Sequence, residues 1–170
     1  PKPVASLSFT LAALPLLRKL RPDVIHAYDM RSPATTAIAA KRLLNVPVAV
    51  KVLRGGAMSD FAALRNMPFG ARRLASFVKQ IDAFVTISQE IEAELDAYNV
   101  PSSRRHFVPN GVDTTRFAPL APDEKRTLRT RLGLLDVPTV IFTGRLAPEK
   151  RVQHLLAVWP TVRKHYPDAT

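Results

Sequence analysis

Two cations stand five residues apart in a short stretch of the chain: Arg145 directly follows Gly144, and Lys150 closes Pro148-Glu149-Lys150. The run before them, Thr139-Val140-Ile141-Phe142, has the β-branched and aromatic character of a strand, and a helical pattern follows. A strand-to-helix loop places backbone N–H groups and the positive end of a helix dipole where an anion settles. Arg offers a rigid fork to two phosphate oxygens, and Lys offers a mobile point charge. Together they suit a departing diphosphate, on which negative charge builds as the bond to it breaks. By spacing alone the same residues also describe an ordinary basic loop.

Other residues stand at the ends of apolar runs. Arg54-Gly55-Gly56 breaks the pattern where a strand ends, and in open α/β sheets ligands bind outside the carboxyl ends of strands. Arg54 is either a cleft residue for an anionic group or a surface arginine. Tyr28 and Asp29 end an earlier strand and are acceptor-side candidates, while His26 inside that strand reads as a packed core histidine. Asn110-Gly111 reads as a turn able to take positive φ, so Asn110 either shapes a site or is a plain turn residue. His154 and His165 stand on a later helix without a ligand-like partner.

Positioning these residues takes short β-branched runs alternating with helical patterns, the signature of a parallel sheet wrapped by helices. Helices are expected over about 8–20, 32–44, 69–80, 88–99, 123–132 and 152–165. Strands are expected over about 24–28, 46–53, 82–87, 106–108 and 137–143. Ser32-Pro33 looks like an N-cap with proline at the first helical position, Asn45 like a stop, and Ser88 like a cap before Glu90 and Glu92. Pro119 and Pro122 mark a loop and a domain boundary. Arg129 and Arg163 are expected on solvent-facing helix positions.

The 170 residues are 46% hydrophobic and 23% charged, which sets disorder aside. Without cysteine there is no disulfide framework, thiolate metal site or Cys nucleophile. A formal charge of +11 favours anionic partners, phosphate, nucleic acid or acidic lipid, or else records an Arg-rich solvated surface. The longest apolar stretch, 7–17, is broken by Pro15 and followed by Arg18 and Lys19, so it is neither a membrane span nor a signal peptide. No Asp-x-Asp motif suggests a metal-held donor.

The stretch Phe107-Val-Pro-Asn-Gly-Val-Asp-Thr-Thr-Arg-Phe117, followed about 25 residues later by Phe142-Thr-Gly-Arg-Leu-Ala-Pro-Glu-Lys150, resembles the linked signatures of glycosyltransferase family 4, the group 1 transferases. Arg21-Pro-Asp-Val-Ile-His-Ala-Tyr28 and Ile81-Asp-Ala-Phe-Val-Thr-Ile-Ser88 resemble two strands of the same family. The resemblance implies an α/β chain of GT-B type, with Rossmann-like parallel sheets and flanking helices. By it, 1–118 is the later part of the acceptor-side domain, 119–135 a linker with a basic helix, and 136–170 the start of the nucleotide-sugar domain.

It further implies a retaining transferase that takes a sugar from a nucleotide-sugar donor without a metal or other cofactor. Arg145 and Lys150 match the donor-diphosphate cations, Gly144 belongs to their loop, and Asn110 with Gly111 shapes the cleft. Many members carry a histidine where Arg54 stands. The family's glycine-rich acceptor loop and paired donor-site glutamates are expected before Pro1 and after Thr170, so these residues alone should be inactive. The expected setting is cytoplasmic, with peripheral contact to an anionic membrane, and no nucleic-acid partner. The competing readings are a basic nucleic-acid-binding α/β module, against which the 7% aromatic content and scattered cations count, and another phosphate-binding enzyme such as an epimerase.

Overall fold

The computed structural model describes residues 2–170. The chain divides into two compact units, one reaching to Gly111 and one from Val112 to Thr170. The sequence reading set the boundary later, after residue 118; the last sheet hydrogen bond of the first unit runs from Val108 N to Thr86 O, at 2.9 Å.

The first unit holds four strands, β1 (Ile25–Tyr28), β2 (Val48–Lys51), β3 (Ala83–Thr86) and β4 (Arg105–Phe107), all parallel in the order β1-β2-β3-β4. Parallel neighbours need a crossover between them, and each crossover here contains a helix. These are α2 (Ser32–Leu44), then α3 (Asp60–Arg65) with α4 (Gly70–Gln80), then α5 (Gln89–Ala97). A further helix, α1 (Lys2–Leu20), precedes β1 and packs on α2. Pro15 lies inside α1 without ending it.

Alternation along the strands decides which residues enter the core. Ala27, Val50 and Phe84 share a register row and are buried, as are Val48 and Val52. They meet Met30, Phe61, Leu64, Leu74, Ile91 and Leu95 from the connecting segments. The opposite row runs Tyr28, Lys51, Val85, His106, with both end members exposed. His26 is on this second face, exposed, with its ring 4.7 Å from that of Tyr28. It is not the packed core histidine expected: the period of two puts it opposite Ala27.

Local signals explain most helix ends. Asn45 takes the left-handed conformation (φ 53°) at the end of α2, with Lys41 and Arg42 in the last turn. Ser88 is the N-cap residue of α5 and Glu90 and Glu92 lie in its first turn, but the serine side chain makes no capping bond to the helix. Ser32 proves to be the first residue of α2, with Arg31 at the cap position. Helix α3 was not anticipated, although Ser59 is a strong N-cap whose hydroxyl accepts from Phe61 N and Ala62 N, each at 3.1 Å.

The second unit contains α6 (Pro122–Arg131) and α7 (Val152–His165). Residues 137–143, expected as a strand, form no strand among the described residues. A strand exists only through its ladder, and this segment's backbone exchanges two bonds, Val140 N to Thr170 O (2.8 Å) and Thr170 N to Pro138 O (3.0 Å). That is the pattern of a single parallel bridge between Thr139 and Thr170. Arg129 is also not the solvent-facing residue expected. Its side chain is 16% exposed, and its guanidinium donates to the carbonyls of Leu135 and Val137 and to Thr139 Oγ1, tying α6 to 135–139.

Candidate functional site

At the carboxyl end of the first unit's sheet, β1 delivers Asp29 and β2 leads to Arg54. Asp29 has φ 105°, outside the narrow left-handed well that asparagine or aspartate visits easily. Such a backbone persists only when its neighbours fix it. Here Asp29 N donates to Lys51 O (3.1 Å), and Asp29 Oδ1 accepts from Arg31 N (2.8 Å). Arg31 Nη2 lies 2.6 Å from Asp29 Oδ2, and Arg54 Nη2 3.7 Å from it. Burial pushes the Asp29 carboxyl upward, but the Arg31 hydrogen bonds and the charges of Arg31 and Arg54 outweigh it and hold the pKa below the ordinary carboxylate value.

Arg54 is neither a free surface arginine nor an unattached cleft residue. Its Nε donates to Oδ1 of the fully buried Asp60 at 2.8 Å, and its backbone N–H, with that of Leu53, donates to Asp60 Oδ2. The following glycines are fixed from α5. Glu94 accepts from Gly56 N (2.8 Å) and from Ser59 Oγ (2.5 Å). A Cβ on Gly55 would lie 2.9 Å from Ile91 Cγ1 and 3.1 Å from Ile91 N, so this loop approaches α5 as only glycine allows. These contacts hold the loop to Asp60 and against α5.

Beside Asp29 opens a cavity of about 760 Å³. Its wall is mostly apolar, from Phe9, Pro33, Met67 and Pro68, with Asp29 and Arg31 as its charged members. A groove of that composition suits a ligand with an apolar body and a polar head.

Asn110 is held by a different device from the turn expected of it. Its Oδ1 accepts from Lys51 Nζ at 2.8 Å, and that ammonium lies 5.7 Å from the centre of the Tyr28 ring. Neither Asn110 nor Gly111 has positive φ, and a Cβ on Gly111 would meet nothing within 4 Å. So Asn110 ties the chain leaving β4 to the exposed sheet face, at the same carboxyl edge as Asp29.

In the second unit Gly144, Arg145 and Lys150 lie on the loop that leads into α7. Gly144 has φ 157°, and a Cβ there would come 3.2 Å from the Phe142 ring. Arg145 is 82% exposed and 3.2 Å from Glu149 Oε1, an exposed pair of small worth that an anion could readily replace. Lys150 ends a 3₁₀ turn, exposed and without an ion pair among the described residues. Arg151 then turns through the left-handed region (φ 52°) to start α7. Two exposed cations, Arg145 beside Glu149 and then Lys150, thus precede a helix of 14 residues, in whose first turn His154 N donates to Arg151 O at 2.9 Å. His165 Nδ1 lies 3.1 Å from Thr161 O, its own helix. Among the described residues no three His, Asp or Glu side chains converge as a metal-ligand group.

The family model described as Glycosyltransferase Family 4 matches residues 1–116. A GDP-mannose-dependent alpha-mannosyltransferase of Mycobacterium tuberculosis is 35% identical over 162 residues, 89% of this chain and 40% of its own length. A GDP-mannose-dependent alpha-(1-6)-phosphatidylinositol monomannoside mannosyltransferase of Mycolicibacterium smegmatis is 32% identical over 102 residues, 60% of this chain and 26% of its own length. Among solved structures, Anabaena HepE in complex with UDP superposes with a TM-score of 0.64 at 16% identity, covering 86% of this chain and 38% of that one. The chain spans well under half the length of these relatives.

Proposed function

The chain belongs to glycosyltransferase family 4 and has the α/β architecture of a GT-B transferase, and from that premise we propose that it is the acceptor-side unit and the start of the donor-side unit of a retaining, metal-independent glycosyltransferase. The observation that carries this reading is the loop Gly144–Lys150, where two exposed cations precede a long helix. Cations held against a leaving diphosphate stabilise the transition state more than the bound donor, because the charge there is still developing. Arg145 and Lys150 are the residues assigned to this task, with Gly144 giving the loop its turn. No divalent ion is required when two cations neutralise the leaving group.

The curated relatives are named for GDP-mannose, which we take as the donor. The acceptor side is the cavity at Asp29 and Arg31, whose apolar wall and charged end fit an amphiphile with a hydroxylated head. Asn110 and Gly111 shape the exit from the sheet toward the second unit's segment of chain. A basic protein acting on an amphiphile works at a membrane surface, and no helix among the described residues is long and apolar enough to cross one. Peripheral contact with an anionic cytoplasmic leaflet is therefore part of the reading.

The test is a donor screen on an enzyme spanning the full length of the relatives, with GDP-, UDP- and ADP-sugars against an amphiphilic polyol acceptor. GDP-mannose should be consumed with retention at the anomeric carbon, and EDTA should leave the rate unchanged. Inversion, or loss of activity in EDTA with recovery on adding manganese, would contradict the proposed mechanism.

A further inference from the structure

The charge of the first unit is concentrated. Between Met30 and Ile81 there are nine Lys and Arg side chains and a single acid, Asp60, which is fully buried. Helix α5, by contrast, carries Glu90, Glu92, Glu94 and Asp96. Of the nine, Arg31, Lys41 and Arg54 are paired with Asp29, Asp82 and Asp60. Arg42, Arg72, Arg73 and Lys79 stand on α2 and α4, which lie against each other.

There Arg42, Arg72 and Arg73 surround an open groove of about 330 Å³. Arg73 Nη2 donates to Thr35 Oγ1 (2.8 Å) and Arg42 Nε to Gln80 Oε1 (2.8 Å), so each is steered by one nitrogen and presents the rest. Arg72 and Lys79 are exposed on α4 and make no ion pair among the described residues. At the head of α4 stands Phe69, 77% exposed, its backbone held in the left-handed conformation (φ 56°). Its neighbour Pro68 lines the cavity at Asp29 and Arg31. A large ring held out in water beside a row of cations is costly in solution and favourable at a lipid interface, where the ring enters the acyl boundary and the cations meet headgroups.

We propose that the α2–α4 face, with Phe69 at its tip, docks on an anionic lipid bilayer. The inference builds on the peripheral contact proposed above and gives it a location. It also places the mouth of the acceptor cavity beside the bilayer, since Pro68 and Phe69 are consecutive. Nucleic acid would also meet the charge, but a lone protruding ring offers no stacking platform for successive bases.

Sedimentation with vesicles tests the proposal without an activity readout, so its failure leaves the donor assignment standing. The protein should sediment with vesicles of phosphatidylglycerol and phosphatidylcholine in equal parts, not with phosphatidylcholine alone, and raised salt should release it. Arg72→Gln with Lys79→Gln should weaken binding about 30-fold, and Phe69→Asn about tenfold or more, since asparagine accepts the same backbone. Lys125→Gln with Arg126→Gln, on α6, should leave binding unchanged. Equal binding to both vesicle types, no sedimentation with either, or full binding by the α4 variants would overturn the proposal. So would a DNA duplex that strips the protein from the vesicles at equal phosphate concentration.

Discussion

Asp29 holds a backbone φ of 105°, and its ionisation is coupled to folding. Its pKa lies below the unfolded value because Arg31, and at longer range Arg54, outweigh the effect of burial. A depressed carboxylate contributes stability that is fully present above the unfolded pKa, about 3.9, and is lost as pH falls through the lower folded value. Asp29→Asn should therefore cost about 1 kcal/mol at neutral pH, a figure discounted because Arg31 is partly exposed. Urea titrations across the acid range should show the gap between the two proteins closing as pH falls. A gap that stays constant would mean that Asp29 acts through packing alone. Little of this network was legible beforehand. Asp29 looked like a strand-end candidate; Arg31 reaches it locally, two residues on, but the approach of Arg54 follows from the β1–β2 register, which no local pattern encodes.

Among the elements, the crossover between β2 and β3 is the most demanding. It fits α3 and α4 into one connection, and their junction closes on Gly70. A Cβ there would lie 2.1 Å from Leu64 O and 2.5 Å from Arg65 O, both backbone atoms that cannot swing aside. Gly70→Ala should destabilise the protein by about 3 kcal/mol, the upper end of overpacking costs. Gly111→Ala, with open space and an ordinary φ, should change stability by less than about 0.5 kcal/mol. Urea midpoints separate the two, and equal effects would contradict the packing described at Gly70. The strands of this unit were readable because β-branched runs such as Val46 to Val52 carry their own signature. Helix α3 was missed because six residues show too little periodicity, although Ser59 and Asp60 marked its start. The segment at 137–143 has a strand's composition, but composition supplies no ladder partner. Likewise Arg129 looked exposed on a helical wheel, which leaves out the loop that folds back over it.

For the whole molecule, sequence motifs carried the family, and coordinates added what motifs leave out: the Asp29 cavity, the fixed Arg54-Gly55-Gly56 loop, and the meeting of Arg42, Arg72 and Arg73 at one groove. The central claim concerns transfer from a nucleotide sugar and rests on Arg145 and Lys150. Their role belongs to the chemical step, so each should affect kcat more than KM. In an enzyme spanning the relatives' full length, Arg145→Ala and Lys150→Ala should each lower kcat with GDP-mannose by about 10²–10³, equivalent to about 3–4 kcal/mol. Arg145→Lys should restore part of the rate, because charge returns without the fork. Arg163→Ala, whose side chain bonds only the nearby Pro167 carbonyl among the described residues, is the control, whereas Arg129 is unsuited to that use because it ties α6 to the following loop. The account predicts this loss in single-turnover rates measured on folded variants. Near-normal single-turnover rates for both Arg145→Ala and Lys150→Ala would contradict it.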